Sequence, residues 1–234
     1  MGNSHAVKIR LLLIVSALPW TVAAQDDERL LEVLPPQATT ALARSLQLSS
    51  AHATHVWRDT APINDDRTVN AYVEITQGDR RKWEFDMSAN ARAIDRMIPV
   101  DIGGYPVNYG FVPQTISYDG DPFDALVLGP PLSGGRVVRG MIVGIIYMED
   151  EKGLDSKVVL SPVGRDRRPL HPLTSALQSR IGEYFDGYKR HEPGGFSNVP
   201  GWGPPEEGLA HIRRTHAFFV GCRQRAGAPC RLEP

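Results

Sequence analysis

Two short stretches alternate apolar and polar positions with the period of a half-buried strand. In AYVEIT, residues 71–76, Val73 and Ile75 take one face while Tyr72, Glu74 and Thr76 take the other. In KWEFD, residues 82–86, Trp83 and Phe85 oppose Lys82, Glu84 and Asp86. Gln77-Gly78-Asp79 between them reads as a turn. ALVLG (125–129), MIVGIIYM (141–148) and KVVLSP (157–162) are more continuously apolar and predict deeper strands. After Pro172 the period changes. Leu173, Leu177, Ile181, Phe185 and Tyr188 fall on one helical face. A second helix is predicted from Pro204-Pro205-Glu206-Glu207, where proline and acids suit a first turn. Leu209, Ile212, His216 and Phe219 would be its buried stripe, and a shorter helix is expected near Thr39–Leu48. Strands first and helices last predict an α+β chain, mainly β.

Composition narrows the class. The 234 residues, 41% hydrophobic and 23% charged, suit one soluble globular domain. A net charge of −1 predicts no general attraction to nucleic acid or anionic membrane. The 19 prolines and 22 glycines favour many turns over a helical bundle, and no internal repeat is visible.

Residues 1–24 stand apart. Lys8 and Arg10 precede the apolar run LLLIVSALPWTVAA, which ends in Val22-Ala23-Ala24. This is the pattern of a signal peptide with its cleavage site. The run is short for a membrane span and Pro19 interrupts it, so no stable span is expected. The mature chain is expected to be exported: periplasmic in a Gram-negative source, secreted otherwise. Loss of Lys8 and Arg10 takes the net charge from −1 to −3. Cys222 and Cys230, the two cysteines, then read as a disulfide. Residues 25–54 form a polar, mixed N-terminal extension ahead of a main domain over 55–234. Across the end of the extension His52 and His55 are three apart, a spacing that suits either a solvated segment or half of a metal site.

The chemistry begins at DGDPFDALVLGPP, residues 119–131. Asp119 and Asp121 point to one side of an extended segment, and a turn at Pro122 can bring Asp124 round to them. Two carboxylates about 4 Å apart repel by about 4 kcal/mol at an effective dielectric near 20. The stretch is either an acidic surface turn or a site for a hard divalent cation. MEDEKGLDSKVVL supplies a second acidic tip with Asp150, Glu151 and Asp155, and Lys157 opens the following strand. Glu74, Lys82 and Glu84 supply a third polar face. Carboxylates hold metals, and metals together with Lys82, Arg96, Lys157 and Lys189 hold a phosphate-rich anion.

In order and spacing these segments resemble the family I soluble inorganic pyrophosphatases. Asp119-Gly120-Asp121-Pro122-Phe123-Asp124 matches the family's Asp-x-Asp-Pro-apolar-Asp signature. VEI, RKWEFD, IDRM, YPVNYGFVP with Tyr105 and Tyr109, EDEKGLDSK and YFDGYK follow in the family's order, and the resemblance covers about residues 55–219. It implies a five-stranded OB-like barrel flanked by two C-terminal helices, Mg²⁺-dependent hydrolysis of pyrophosphate to two orthophosphates, and a homo-oligomer. Mn²⁺ or another divalent ion could replace Mg²⁺. It further implies Asp119, Asp124, Asp155, Asp150, Glu74 and Glu84 as metal ligands. Asp121 would accept the proton of the attacking water. Lys82, Arg96, Tyr109, Lys157, Tyr188 and Lys189 would grip phosphate oxygens. Of two other readings, a hydrolase of nucleotides or phosphoesters could use the same metals, but no aromatic run would stack a base, and an oligonucleotide-binding OB module would need a basic groove with stacking aromatics where this chain has carboxylates. A third, a scavenger without catalysis, is disfavoured by the intact set around Asp121.

Overall fold

The computed structural model describes residues 35–224. The expected leader, residues 1–24, lies outside them, as do Cys230 and the side chain of Cys222. The strands are β1 (Val69–Ile75), β2 (Arg81–Asp86), β3 (Ala91–Met97), β4 (Asn108–Phe111), β5 (Asp124–Val127), β6 (Arg136–Asp150), β7 (Gly153–Leu154), β8 (Lys157–Pro162) and β9 (Ser197–Gly203). The helices are α1 (Pro36–Ser49), α2 (Val56–Asp59), α3 (Ser175–Gly187) and α4 (Pro205–Gln224).

Five strands close a ring. β1 pairs antiparallel with β4, β4 with β5, β5 runs parallel to β8, and β8 pairs antiparallel with β6, which returns to β1. Closure removes the exposed edges that an open sheet would leave. β7 and β9 extend the far half of β6. β2 and β3 form a separate two-stranded hairpin. The expected barrel, α+β and mainly β, is therefore present with its two C-terminal helices.

Burial explains the apolar runs. On β5, Leu126 joins one core cluster with Ile75, Ile146, Val159 and the α3 residues Ile181 and Phe185. Its neighbours Ala125 and Val127 join a second cluster with Val69, Ile145, Val158 and Ile212 of α4. Both faces of these strands are covered, so alternation with polar residues is not required. Thr174 starts α3 by accepting a hydrogen bond from Leu177 N at 3.3 Å.

Three details differ from the sequence expectation. β1 is buried along its whole length rather than half-buried. Tyr72 packs on Phe85 and Phe111, and Glu74 lines a cavity with its own side chain buried, so neither is exposed. The turn at Gln77–Asp79 is present, with Asp79 N donating to Thr76 O at 3.0 Å, but β1 and β2 do not pair with each other. On α4, Ile212 and Phe219 are buried as expected, while Leu209 and His216 are only partly covered. The buried face also takes His211, Thr215 and Phe218, because the helix packs against α1 as well as the ring.

The described part of the N-terminal extension, from residue 35, packs into this body. Ala38 and Leu42 of α1 are fully buried beside Trp57, Phe111, Ile116, Phe218 and Phe219. His52 and His55 bring their rings to 5.6 Å, yet each ring binds a backbone carbonyl, of Ser88 at 2.7 Å and Met87 at 2.9 Å. Those contacts occupy the Nε2 of each ring, and His55 Nδ1 accepts from Arg58 N at 3.4 Å, which leaves the metal alternative unsupported.

One close approach sets the ring geometry. A Cβ added at Gly110 on β4 would lie 1.7 Å from the Tyr72 carbonyl oxygen on β1. Backbone cannot yield there as a flexible side chain could. Gly110→Ala should destabilise the fold by at least about 1–3 kcal/mol, the usual range for overpacking. Chemical denaturation measures it, and an unchanged midpoint would contradict this account of the β1–β4 approach.

Candidate active site

The side chains singled out above come together at one end of the ring. β1 brings Glu74, β2 brings Lys82 and Glu84, β3 brings Arg96, and β4 brings Tyr109. The loop entering β5 brings Asp119, Asp121 and Asp124, the end of β6 brings Asp150, and Asp155 follows β7. Tyr188 caps α3 and Lys189 follows it. All of these line a single cavity of about 430 Å³. Two irregularities aim them. The β1–β4 register shifts between Val73 and Ile75, at Glu74, and the β2–β3 register shifts next to Lys82. Bulges of this kind re-aim side chains beside active sites.

Lys157 is the exception. It is 1% exposed and does not reach the cavity wall. From beneath, its Nζ donates to Asp124 Oδ2 at 2.6 Å and to Asp155 Oδ1 at 2.7 Å. Tyr109 also donates its hydroxyl to Asp124 Oδ2, at 2.5 Å. Asp124 is thus held in place by two donors from behind.

The remaining cations pair within the cavity. Lys189 Nζ meets Asp150 at 2.6 Å and Glu151 at 2.7 Å. Lys82 meets Glu84 at 2.6 Å, and Arg96 pairs with Asp95 at 3.0 Å and with Glu192. Lys82 and Arg96 lie directly opposite each other on the hairpin. Like charges so placed repel, and Glu84, Asp95 and Glu192 offset that repulsion.

Several of these partners were not foreseen. Glu151 was marked at the second acidic tip without a role, and Lys152 follows it directly, so proximity could have pointed to both. Asp95 adjoins Arg96 in sequence but belongs to no periodic pattern, and only the folded chain brings Glu192 to Arg96. Ser45 and Met87, from α1 and the hairpin tip, also line the cavity.

Charge decides what the cavity can hold. Its wall carries ten carboxylates against four cations. Burial, then the charges of Glu84 and Asp124, hold the Glu74 carboxyl well above the usual range. Burial and the neighbouring Asp121 push Asp119 up to about 7. Asp155 is raised well above its ordinary value by burial and by Asp124 and Asp119, in spite of Lys157. Asp121 keeps its side chain exposed, yet the protein crowded around it and the charges of Glu84 and Asp124 raise its pKa, against the pull of Lys152. Among the described residues no three side chains already form a closed cage for an ion, since the lysines draw the carboxylates toward themselves. The donor set still fits hard divalent cations: it is all oxygen, strongly anionic and short of positive charge.

The comparisons with known proteins bear on the same residues. The family model described as inorganic pyrophosphatase matches residues 71–219. The chain belongs to the inorganic pyrophosphatase family. It is similar to the inorganic pyrophosphatase of Aeropyrum pernix, 38% identical over 160 residues, covering 65% of this chain and 90% of that protein. The Ralstonia nicotianae inorganic pyrophosphatase is 40% identical over 61% of this chain and 86% of its own length. Among solved structures, the Thermus thermophilus inorganic pyrophosphatase matches with a TM-score of 0.66 and 31% identity, covering 72% of this chain and all of that one. In this pyrophosphatase, α1 and α2 lie before the matched residues.

The raised carboxyl groups carry a pH signature. An acid whose folded pKa is raised holds more protons folded than unfolded, so unfolding becomes easier as pH rises from the unfolded value toward the folded one. In a chelator, the melting temperature should fall between about pH 5 and about pH 8, by at least about 2–4 °C, the shift per kcal/mol for a chain this size. Mg²⁺ should abolish most of that fall. Thermal melts with EDTA and with Mg²⁺ test this, and identical pH profiles would contradict the charge account.

Proposed function

We infer that this chain hydrolyses inorganic pyrophosphate to two orthophosphates with divalent cations, Mg²⁺ foremost. The observation that carries the reading is the single cavity in which ten carboxylates face Lys82, Arg96 and Lys189, within the residues matched by the family.

Bound divalent ions would shield the charge of pyrophosphate and make a water molecule more acidic. Asp119, Asp124, Asp155, Asp150, Glu74 and Glu84 are the residues proposed to hold them. The chain supplies the rest. Asp121 stands on the cavity wall with its side chain largely accessible and Lys152 3.8 Å away. It is proposed to accept the proton of the attacking water. Lys82, Arg96, Tyr109, Tyr188 and Lys189 reach the cavity and are proposed to bind phosphate oxygens and balance charge on the departing phosphate. Lys157 supports the reaction from below, by fixing Asp124 and Asp155 rather than by touching the anion. Tyr188 keeps its proton, since burial raises its pKa, so it can donate.

The chain assayed from Gln25 onward with Mg²⁺ should release phosphate from pyrophosphate in strong preference to ATP and p-nitrophenyl phosphate. Comparable turnover of ATP would favour a broader phosphohydrolase. Asp121→Asn should lower kcat by roughly 10²–10⁴-fold, the usual general-base contribution. KM should change little, and added Mg²⁺ should not restore the rate. Full rescue by Mg²⁺ would make Asp121 a metal ligand and move the base elsewhere, with Glu74 next in line.

We also propose that the protein is exported, self-associates and closes a Cys222–Cys230 disulfide. The basic start, apolar run and small residues at 22–24 support export, and no helix among the described residues is long and apolar enough to cross a membrane. N-terminal sequencing of the protein from the periplasm or medium should read from Gln25. Recovery only from the cytosol, with the leader intact, would end this proposal.

A further inference from the structure

The N-terminal segment precedes the matched residues, yet it touches the site from two sides. On α1, Ala41 bears on the aspartate loop. A Cβ at Gly120 would lie 2.6 Å from the Ala41 Cβ. Gly120 separates Asp119 from Asp121 and holds φ at +96°, where glycine is favoured. Ser45, one turn along α1, lines the cavity itself. The chain after α1 then holds the tip of the β2–β3 hairpin. His52 binds Ser88 O at 2.7 Å and His55 binds Met87 O at 2.9 Å. Asn90 donates to Thr54 O at 3.1 Å and accepts from Val56 N at 2.9 Å. A lone two-stranded hairpin is marginally stable in water. This one carries Lys82, Glu84 and Arg96 toward the aspartates.

We propose that residues 36–59 are a positioning brace for the active site. α1 sets the loop of Asp119–Asp124, the 52–56 stretch sets the hairpin, and the brace fixes the separation between metal-binding carboxylates and phosphate-binding cations. The proposal rests on the pyrophosphatase reading for its kinetic arm. The plain alternative is a cover for the apolar patch around Trp57 and Phe219, which would affect stability alone.

Two full-length variants separate the two. Ala41→Val thickens α1 at Gly120 without adding a polar group. His52→Ala combined with Asn90→Ala releases the hairpin tip and leaves α1 in place. Each is assayed against pyrophosphate across a Mg²⁺ series, and Mn²⁺ binding is measured by calorimetry without substrate. Ala41→Val should weaken Mn²⁺ binding and raise the Mg²⁺ needed for half-maximal rate by about 10-fold, the low end for disturbing residues behind metal ligands. Its KM at saturating Mg²⁺ should hold. The double variant should do the reverse, raising KM several-fold, while Mn²⁺ affinity, to which the hairpin contributes only Glu84, falls less than in Ala41→Val. A lower melting temperature with wild-type metal affinity and KM in both variants would overturn the brace. Should Ala41→Val fail to fold, the double variant decides alone, and an unchanged KM overturns the proposal. If the wild type released no phosphate from pyrophosphate, the activity reading would fall, while the calorimetric comparison would still judge the loop contact.

Discussion

The site depends on one buried ammonium. Lys157 lies in the core with 1% exposure, its Nζ 5.6 Å from the ring centres of Tyr109 and Phe185. Burying a cation costs several kcal/mol unless close partners compensate. Burial alone would lower its pKa, but Asp124 and Asp155 outweigh that and raise it. Asp124 opens β5, Lys157 opens β8, and these strands run parallel with Ala125 opposite Val158. The ion pair therefore ties the register of the ring to the placement of the carboxylates. Loss of the lysine would leave two acids repelling each other; loss of an acid would leave a cation short of a partner. Exposed pairs such as Arg190–Asp101 carry no such constraint, because solvent screens them.

Much of the ring was legible in the sequence for a simple reason. ALVLG and KVVLSP are apolar throughout because clusters press on both their faces, and such runs announce buried strands without further context. AYVEIT misled, since its Tyr and Glu imitate a wet face while one packs among aromatics and the other enters the cavity. The aspartate loop was legible because crowded like charge needs compensation. Glu192 was not, because its role exists only once the loop after α3 meets the hairpin at Arg96, and Asp95, though a sequence neighbour of Arg96, belonged to no pattern that gave it a role. The helix face on α4 was misjudged by a fraction of a turn, since periodicity marks an apolar stripe but not a second neighbour competing for it.

The cavity is also an arrangement of exchangeable charge. Lys189 shares Asp150 and Glu151, and Arg96 shares Asp95 and Glu192. In the proposed reaction each of these cations would turn to phosphate oxygens, and of its acids Asp150 alone is a proposed metal ligand. The partners are side chains with alternative contacts rather than fixed backbone, so the exchange requires rotation of side chains and no rearrangement of the ring. Asp124 differs: Tyr109 and Lys157 hold it from behind, and it forms the stationary point around which the others can move.

β6 gives the molecule an unusual rule about length. This strand of 15 residues pairs with β1, β8, β9 and β7 along its course and ends at Asp150. Side chains on a strand alternate, so one extra or missing residue turns every later one over. Here Asp150 is buried at the cavity and its neighbour Glu149 is exposed. A single-residue insertion late in β6 would exchange them, placing a side chain one methylene longer among the carboxylates and facing Asp150 outward. A loop such as Gly194–Gly195 imposes no such parity, whereas one residue added late in β6 would have to be absorbed by a bulge to avoid the exchange, and the strand already shifts register between Tyr147 and Glu149.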